Sequence, residues 1–106
     1  MVKQVQSLEE FEEILKTSGD KLVVVDFTAT WCGPCRMISP KFEEFSHTYT
    51  NVVFIKVDVD ECDDVAQKHG ISAMPTFLFF KNGKKVDDFT GANADKLLER
   101  IQKYLN

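Results

Sequence analysis

Residues 23–35 read VVVDFTATWCGPC, and this stretch decides the fold. The run Leu22–Phe27 is almost entirely apolar and rich in valine, which is typical of a strand covered on both faces of a parallel or mixed sheet. Pro34 suits the first turn of a helix, because the N–H that it lacks would be unpaired there. A buried strand, a Cys-x-x-Cys pair and a helix in succession predict a site of thiol chemistry.

The two cysteines of this pair are predicted to be unequal. Apolar residues recur from the second cysteine onward at the spacing of one helix face, at positions Cys35, Ile38, Phe42, Phe45 and Tyr49. Cys35 is therefore expected to face the core, whereas Cys32 precedes the first turn and is expected at the surface. The positive end of the helix favours a thiolate at Cys32, and a thiolate is the form that attacks a disulfide. Cys35 would then resolve the mixed disulfide.

Two charged residues interrupt otherwise apolar strands. Asp26 is predicted to be buried beside the cysteines, where it takes or returns the proton of the resolving thiol. The alternative is a carboxylate that turns to solvent at the end of its strand. Lys56, on a second apolar strand at Val52–Val57, either brings its ammonium near Asp26 or extends from the sheet edge into water. Burial raises the pKa of a carboxyl and a nearby ammonium lowers it, so the net direction stays open.

Metal binding is the main alternative use of such residues. Tetrahedral zinc needs four ligands, and the remaining candidates, Cys62, His47 and His69, form no second paired motif. A calcium site is suggested by five carboxylates that surround Cys62, namely Asp58, Asp60, Glu61, Asp63 and Asp64. Their spacing does not match an EF-hand, so we interpret the segment as a solvated loop that leads into a helix. We predict no metal site, and no catalytic role for Cys62, whose thiolate the carboxylates disfavour.

Length and charge exclude several classes of protein. The chain has 106 residues and a net charge of −4, which fits a single domain over residues 1–106 and argues against binding to nucleic acid or an anionic membrane. No apolar run approaches ~20 residues, and no apolar segment follows the first residues, so neither a membrane span nor a signal peptide is expected. Three cysteines are too few for a disulfide scaffold and favour a cytosolic protein with a catalytic pair.

The order of elements is predicted as β-α-β-α-β-α-β-β-α. Ser7 and Glu10 form a capping box that begins the first helix, and Asn93 caps the last one. Asn82-Gly83 is a strong hairpin signal. Crossover connections make the first three strands parallel, with the final hairpin antiparallel to them. Pro40 falls inside the second helix and predicts a kink there.

Three segments together resemble the active site of the thioredoxin family. They are Trp31-Cys32-Gly33-Pro34-Cys35 after a strand that bears Asp26, Met74-Pro75-Thr76 as the cis-proline loop, and Gly91-Ala92 as the third loop. The resemblance covers essentially the whole chain. It implies an α/β protein with the thioredoxin fold, in which a five-stranded mixed sheet of order 1-3-2-4-5 is flanked by four helices. It also implies a cis peptide before Pro75, although trans is the common form.

The resemblance further implies a protein disulfide reductase in which Cys32 attacks and Cys35 resolves. No cofactor is expected to be bound, because NADPH is used indirectly, through a thioredoxin reductase as partner. Disulfide-containing client proteins would dock on a shallow apolar area formed by Trp31, Gly33, Pro34, Met74, Pro75, Gly91 and Ala92. The implied state is a monomer in the cytoplasm, with the nucleus as an additional location.

Other functions compete with reduction of disulfides. A redox-switched binding module would use the same groove for a regulatory partner, with the state of Cys32 and Cys35 changing its affinity. A disulfide isomerase or oxidant is disfavoured, because Gly33-Pro34 resembles the reducing end of the family. Glutaredoxin is disfavoured because a glutathione-binding pattern is not evident.

Overall fold

The computed structural model describes residues 1–105. The helices and strands, in chain order, are β1 (Val2–Gln4), α1 (Leu8–Thr17), β2 (Val23–Thr28), α2 (Gly33–Thr48), β3 (Val53–Asp58), α3 (Asp63–Lys68), β4 (Thr76–Lys81), β5 (Lys84–Thr90) and α4 (Ala94–Lys103). The order of elements is the one predicted, and the two central strands begin and end one residue later than expected.

The strands form one mixed sheet in the order β1-β3-β2-β4-β5. β1 and β2 both run parallel to β3, whereas β4 is antiparallel to β2 and to β5. The predicted architecture is therefore confirmed. β2 lies at the centre of this sheet and pairs with β3 on one side and β4 on the other. The loop that follows β2 therefore starts from a strand that is fixed on both sides.

The burial of β2 on both faces explains its continuous apolar sequence. Val23, Val25 and Phe27 pack into a cluster with residues of α1 and α3, and Val24 packs into a second cluster with residues of α2 and α4. Side chains alternate along a strand, so Asp26, two residues after Val24, points to the face that α2 covers. The carboxyl group and the first turn of α2 thus lie on the same side of the sheet.

Local signals predicted from sequence are present at the ends of several elements. Ser7 Oγ accepts a hydrogen bond from the Glu10 N–H at 3.1 Å, and Glu10 Oε1 accepts one from the Gln6 N–H at 2.6 Å. Asn82 and Gly83 both adopt positive φ, at 53° and 76°, as a tight hairpin turn requires. Asn93 Oδ1 caps α4 by accepting from the Lys96 N–H at 2.9 Å.

α2 continues through Pro40, and the kink expected there stays a prediction. Within residues 1–105, no helix has the length and apolar character needed to cross a membrane.

Candidate active site

The two cysteines stand at the amino end of α2 and are joined by a disulfide, with Cα atoms 5.3 Å apart. Cys32 is the N-cap residue, with extended backbone, and its Sγ accepts a hydrogen bond from the Cys35 N–H at 3.1 Å. A sulfur therefore occupies the place that a serine or aspartate oxygen takes at other helices. After reduction, this N–H and the positive end of the helix dipole favour a negative charge on Cys32.

Both cysteines are buried, which confirms one prediction and corrects another. Cys35 is 2% exposed and faces the core as expected. Cys32, expected at the surface, is only 5% exposed. Its sulfur is bonded inward to Cys35, and Met74 and Val59 pack against the small cluster that the two cysteines form with Ala29. Little of the Cys32 surface is therefore accessible in the oxidised protein.

Asp26 is the buried ionisable group of the site. It is 1% exposed, and within the described part of the chain its Oδ1 has no hydrogen-bond partner. Burial raises the pKa of Asp26 to about 7, and the nearby positive charge of Lys56 opposes this rise. The net direction, which the sequence left open, is therefore upward because loss of water outweighs the attraction of the lysine.

Lys56 lies directly opposite Asp26 on the neighbouring parallel strand β3. Its side chain is half-buried, and its charge lowers the pKa of Asp26. Within residues 1–105, however, the ion pairs do not include one between these two groups at 4 Å or less. Lys56 and Cys35 both line a cavity of about 330 Å³, which is large enough to hold water. Lys56 thus acts on Asp26 at a distance and also reaches toward solvent.

Two further loops meet the cysteine pair. The Met74–Pro75 peptide is cis, as the resemblance implied. Pro75 O accepts a hydrogen bond from the Gly91 N–H at 2.9 Å, which joins the second and third loops. Met74 packs against the cluster that contains Cys32 and Cys35. The structure therefore brings the predicted loops together beside the disulfide.

The predicted docking residues differ in how much surface they offer. Trp31 is 64% exposed and Pro34 is also exposed. Partial exposure is shared by Gly33, Met74, Gly91 and Ala92. Pro75 is buried, so its side chain adds little to the surface. The accessible apolar area is thus centred on Trp31 and Pro34.

Sequence reasoning missed two residues at this site, Val59 and Asp60. Val59 packs against the cysteine cluster, and Asp60 Oδ2 accepts a hydrogen bond from the Trp31 indole N–H at 2.9 Å. Both follow β3, whose last residue, Asp58, is paired with Thr28 at the end of β2. Because parallel strands end at the same edge of a sheet, this topology was the signal that could have identified them.

Cys62 lies apart from this chemistry. It is 2% exposed, and burial, followed by the negative charges of Asp64, Glu61, Asp58 and Glu10, raises the pKa of its thiol. Across residues 1–105, no group of three or more His, Cys, Asp or Glu side chains is arranged to hold a metal ion.

Comparisons with known proteins assign the family. The thioredoxin family model matches residues 2–103. The chain belongs to the thioredoxin family. It is 60% identical to thioredoxin from Equus caballus, over 96% of this chain and 97% of the relative. It is 59% identical to thioredoxin from Homo sapiens, over 97% and 98% of the two chains.

Solved thioredoxin structures agree with this assignment. Thioredoxin from Nicotiana alata superposes with a TM-score of 0.95 at 46% identity, over 99% of this chain and 93% of the other. Thioredoxin from Fasciola hepatica also has a TM-score of 0.95, at 44% identity, over 96% and 98% of the two chains. With its cysteine pair at the active-site position of this family, the protein is a thiol–disulfide oxidoreductase that reduces protein disulfides.

Proposed function

We propose that Cys32 is the thiol that attacks client disulfides and that Cys35 is the thiol that resolves the mixed disulfide. The observation that carries this assignment is the hydrogen bond from the Cys35 N–H to Cys32 Sγ at the start of α2. A negative sulfur is stabilised at that position, whereas the side chain of Cys35 faces the core. The two thiols therefore differ in how strongly their position favours a thiolate, as the two steps require.

The reaction transfers two electrons from the thioredoxin dithiol to the client. The Cys32 thiolate attacks one sulfur of the client disulfide, forms a mixed disulfide and releases the other client sulfur as a thiolate. Cys35 then loses its proton, and its thiolate attacks Cys32 Sγ. This second attack breaks the mixed disulfide, releases the second client thiolate and forms the Cys32–Cys35 disulfide.

Asp26 is proposed to accept the proton of Cys35 in the second step. Its pKa of about 7 leaves both protonation states populated near neutral pH, which suits a group that takes and returns a proton. Asp26 also lies on the face of the sheet that α2 covers, beside the helix that carries Cys35. The cavity lined by Cys35 and Lys56 provides space for water between this region and solvent.

Client polypeptides are proposed to dock across the three loops. Trp31 and Pro34 supply the exposed apolar surface, and Gly33, Gly91 and Ala92 leave room for a backbone to approach. By the family resemblance, Met74 offers its backbone N–H and C=O to an extended client segment, in the manner of strand addition. Pro75 contributes by holding the loop rather than by surface contact.

The oxidised protein must be reduced before it can act again. We propose that a thioredoxin reductase supplies the electrons from NADPH, so that this chain needs no resident cofactor. A monomer in the cytoplasm, with the nucleus as an additional location, fits the similarity to animal thioredoxins.

The test is NADPH consumption in the presence of an animal thioredoxin reductase and excess insulin. The proposal predicts steady turnover by the wild-type protein and none by Cys32→Ser. Cys62→Ala is the matched control, since it also removes one buried thiol but leaves the reacting pair intact, and it should retain turnover. If the wild type is folded and reducible but does not turn over, the reductase proposal fails and a redox-switched binding module is favoured.

A further inference from the structure

Trp31 is the only tryptophan of the chain, and it stands beside Cys32 with 64% of its surface exposed. Large aromatic side chains with this much exposure gain little from packing, so something else must fix the ring if it is to present one surface. The indole N–H donates to Asp60 Oδ2 at 2.9 Å, across 29 positions of sequence. A carboxylate acceptor makes this hydrogen bond charge-assisted.

The backbone of Asp60 is in turn fixed by hydrogen bonds to the side chain of Asp58. Asp58 is 6% exposed, and its Oδ1 accepts hydrogen bonds from the Asp60 N–H at 2.8 Å and the Glu61 N–H at 3.3 Å. Asp58 also ends β3, where it pairs with Thr28 of the central strand. The sheet thus fixes Asp58, and Asp58 fixes the turn at Asp60 and Glu61. This turn positions the carboxylate that accepts the hydrogen bond from the Trp31 indole.

The loop on the other side of Trp31 is anchored as well. Arg36 donates from its guanidinium to Thr30 O at 2.8 Å, and the Cys32 N–H donates to Ala29 O at 3.2 Å. These contacts hold the backbone of Trp31 but leave its side-chain torsions free. The hydrogen bond to Asp60 is therefore the polar contact that constrains the ring itself.

We propose that Asp60 is a positioning residue for client binding, which holds the Trp31 ring in the orientation that docked polypeptides meet. Asp60 does not touch the reacting sulfurs and acts through Trp31. The inference rests on the proposed role of Trp31 as a client contact. Loss of the acceptor lets the ring sample several rotamers, so a client must order it on binding. The expected consequence is weaker client binding with little change in the chemical step.

Two substitutions separate the hydrogen bond from the charge. Asp60→Ala removes the acceptor and the charge, whereas Asp60→Asn removes the charge but keeps a side-chain oxygen that can accept from the indole. Asp63→Asn is a matched control, because it removes one negative charge from the nearby start of α3 and leaves the Trp31–Asp60 contact intact.

The first measurement is fluorescence anisotropy decay of Trp31 in the reduced protein without a client. Fast local motion of the indole should increase in Asp60→Ala and stay close to wild type in Asp60→Asn and Asp63→Asn. Far-ultraviolet circular dichroism confirms that each variant is folded. Equal indole motion in wild type and Asp60→Ala would overturn the proposal.

The second measurement is the steady-state reduction of insulin with NADPH and thioredoxin reductase. Asp60→Ala should raise the KM for insulin about fivefold and change kcat by less than about twofold, since binding rather than chemistry is affected. Asp60→Asn should keep the KM for insulin close to the wild-type value. Equal effects of Asp60→Ala and Asp60→Asn would assign the role to charge and overturn positioning by the hydrogen bond.

The failure of this inference is distinguishable from that of the proposed function. An unchanged KM in Asp60→Ala, with turnover still abolished by Cys32→Ser, would leave the reductase assignment standing and remove the role of Asp60. Absence of turnover in the wild type would overturn the proposed function and, with it, the client-binding role of Asp60.

Discussion

Asp26 lies directly opposite Lys56 on adjacent parallel strands, yet burial rather than the lysine determines the protonation of Asp26. The carboxyl is 1% exposed, one of its oxygens has no hydrogen-bond partner in the described part of the chain, and its pKa rises to about 7. Within residues 1–105 no ion pair at 4 Å or less joins Asp26 to Lys56, and this is consistent with the proposed role of Asp26 in accepting the proton of Cys35.

Asp26 should make the folded protein less stable as pH rises. The folded state holds this proton up to a pKa of about 7, whereas the unfolded chain releases it near 3.8, so stability is lost between these values. At about 1.36 kcal/mol for each pH unit, the full difference corresponds to about 4 kcal/mol. Asp26→Asn, which keeps the shape without the charge, should therefore gain stability over wild type on the order of 2–4 kcal/mol at about pH 8 and little near pH 4.

Urea unfolding of both oxidised proteins at the two pH values measures this difference. A stability difference that is the same at both pH values would show that Asp26 does not carry a raised pKa.

Lys56→Met should raise the pKa of Asp26 further, because it removes the positive charge that opposes the effect of burial. An NMR titration that follows the carboxyl carbon chemical shift of Asp26 against pH measures this pKa directly. Lys41→Met is the matched control, since Lys41 is an exposed lysine of α2 that pairs with Glu44. An unchanged titration in Lys56→Met would mean that the two charges do not interact.

Cys62 should resist alkylation in the folded protein. Its thiol is buried and its pKa is raised, first by burial and then by surrounding carboxylates, so little thiolate is available. Iodoacetamide at about pH 8 should modify Cys32 of the reduced protein first and Cys62 only after urea is added. Peptide mapping by mass spectrometry resolves the two sites, and early modification of Cys62 would show that its region opens readily.

Local sequence patterns predicted the helices, the strands and the cysteine pair, whereas the order of the strands in the sheet was implied by the family resemblance. The valine-rich run before the cysteines predicted β2, the capping box of Ser7 and Glu10 predicted the start of α1, and Asn82-Gly83 predicted the hairpin. Each of these signals is contained within a few residues, so no knowledge of tertiary contacts was needed.

Several features that depend on distant contacts were not predicted. The burial of Cys32 results from packing by Val59 and Met74, and the hydrogen bond between Trp31 and Asp60 joins residues 29 positions apart. The net direction of the Asp26 pKa depends on a balance between burial and the distance to Lys56, which only the folded arrangement sets.

The proposed division of roles between Cys32 and Cys35 is tested most directly by trapping mixed disulfides. Reduced Cys35→Ser and Cys32→Ser proteins are each mixed with a disulfide-bonded client and analysed by mass spectrometry without reductant. A stable adduct on Cys32 is expected in Cys35→Ser, because the resolving thiol is missing, and no adduct is expected in Cys32→Ser. Equal adducts in both variants, or an adduct on Cys35 alone, would contradict it.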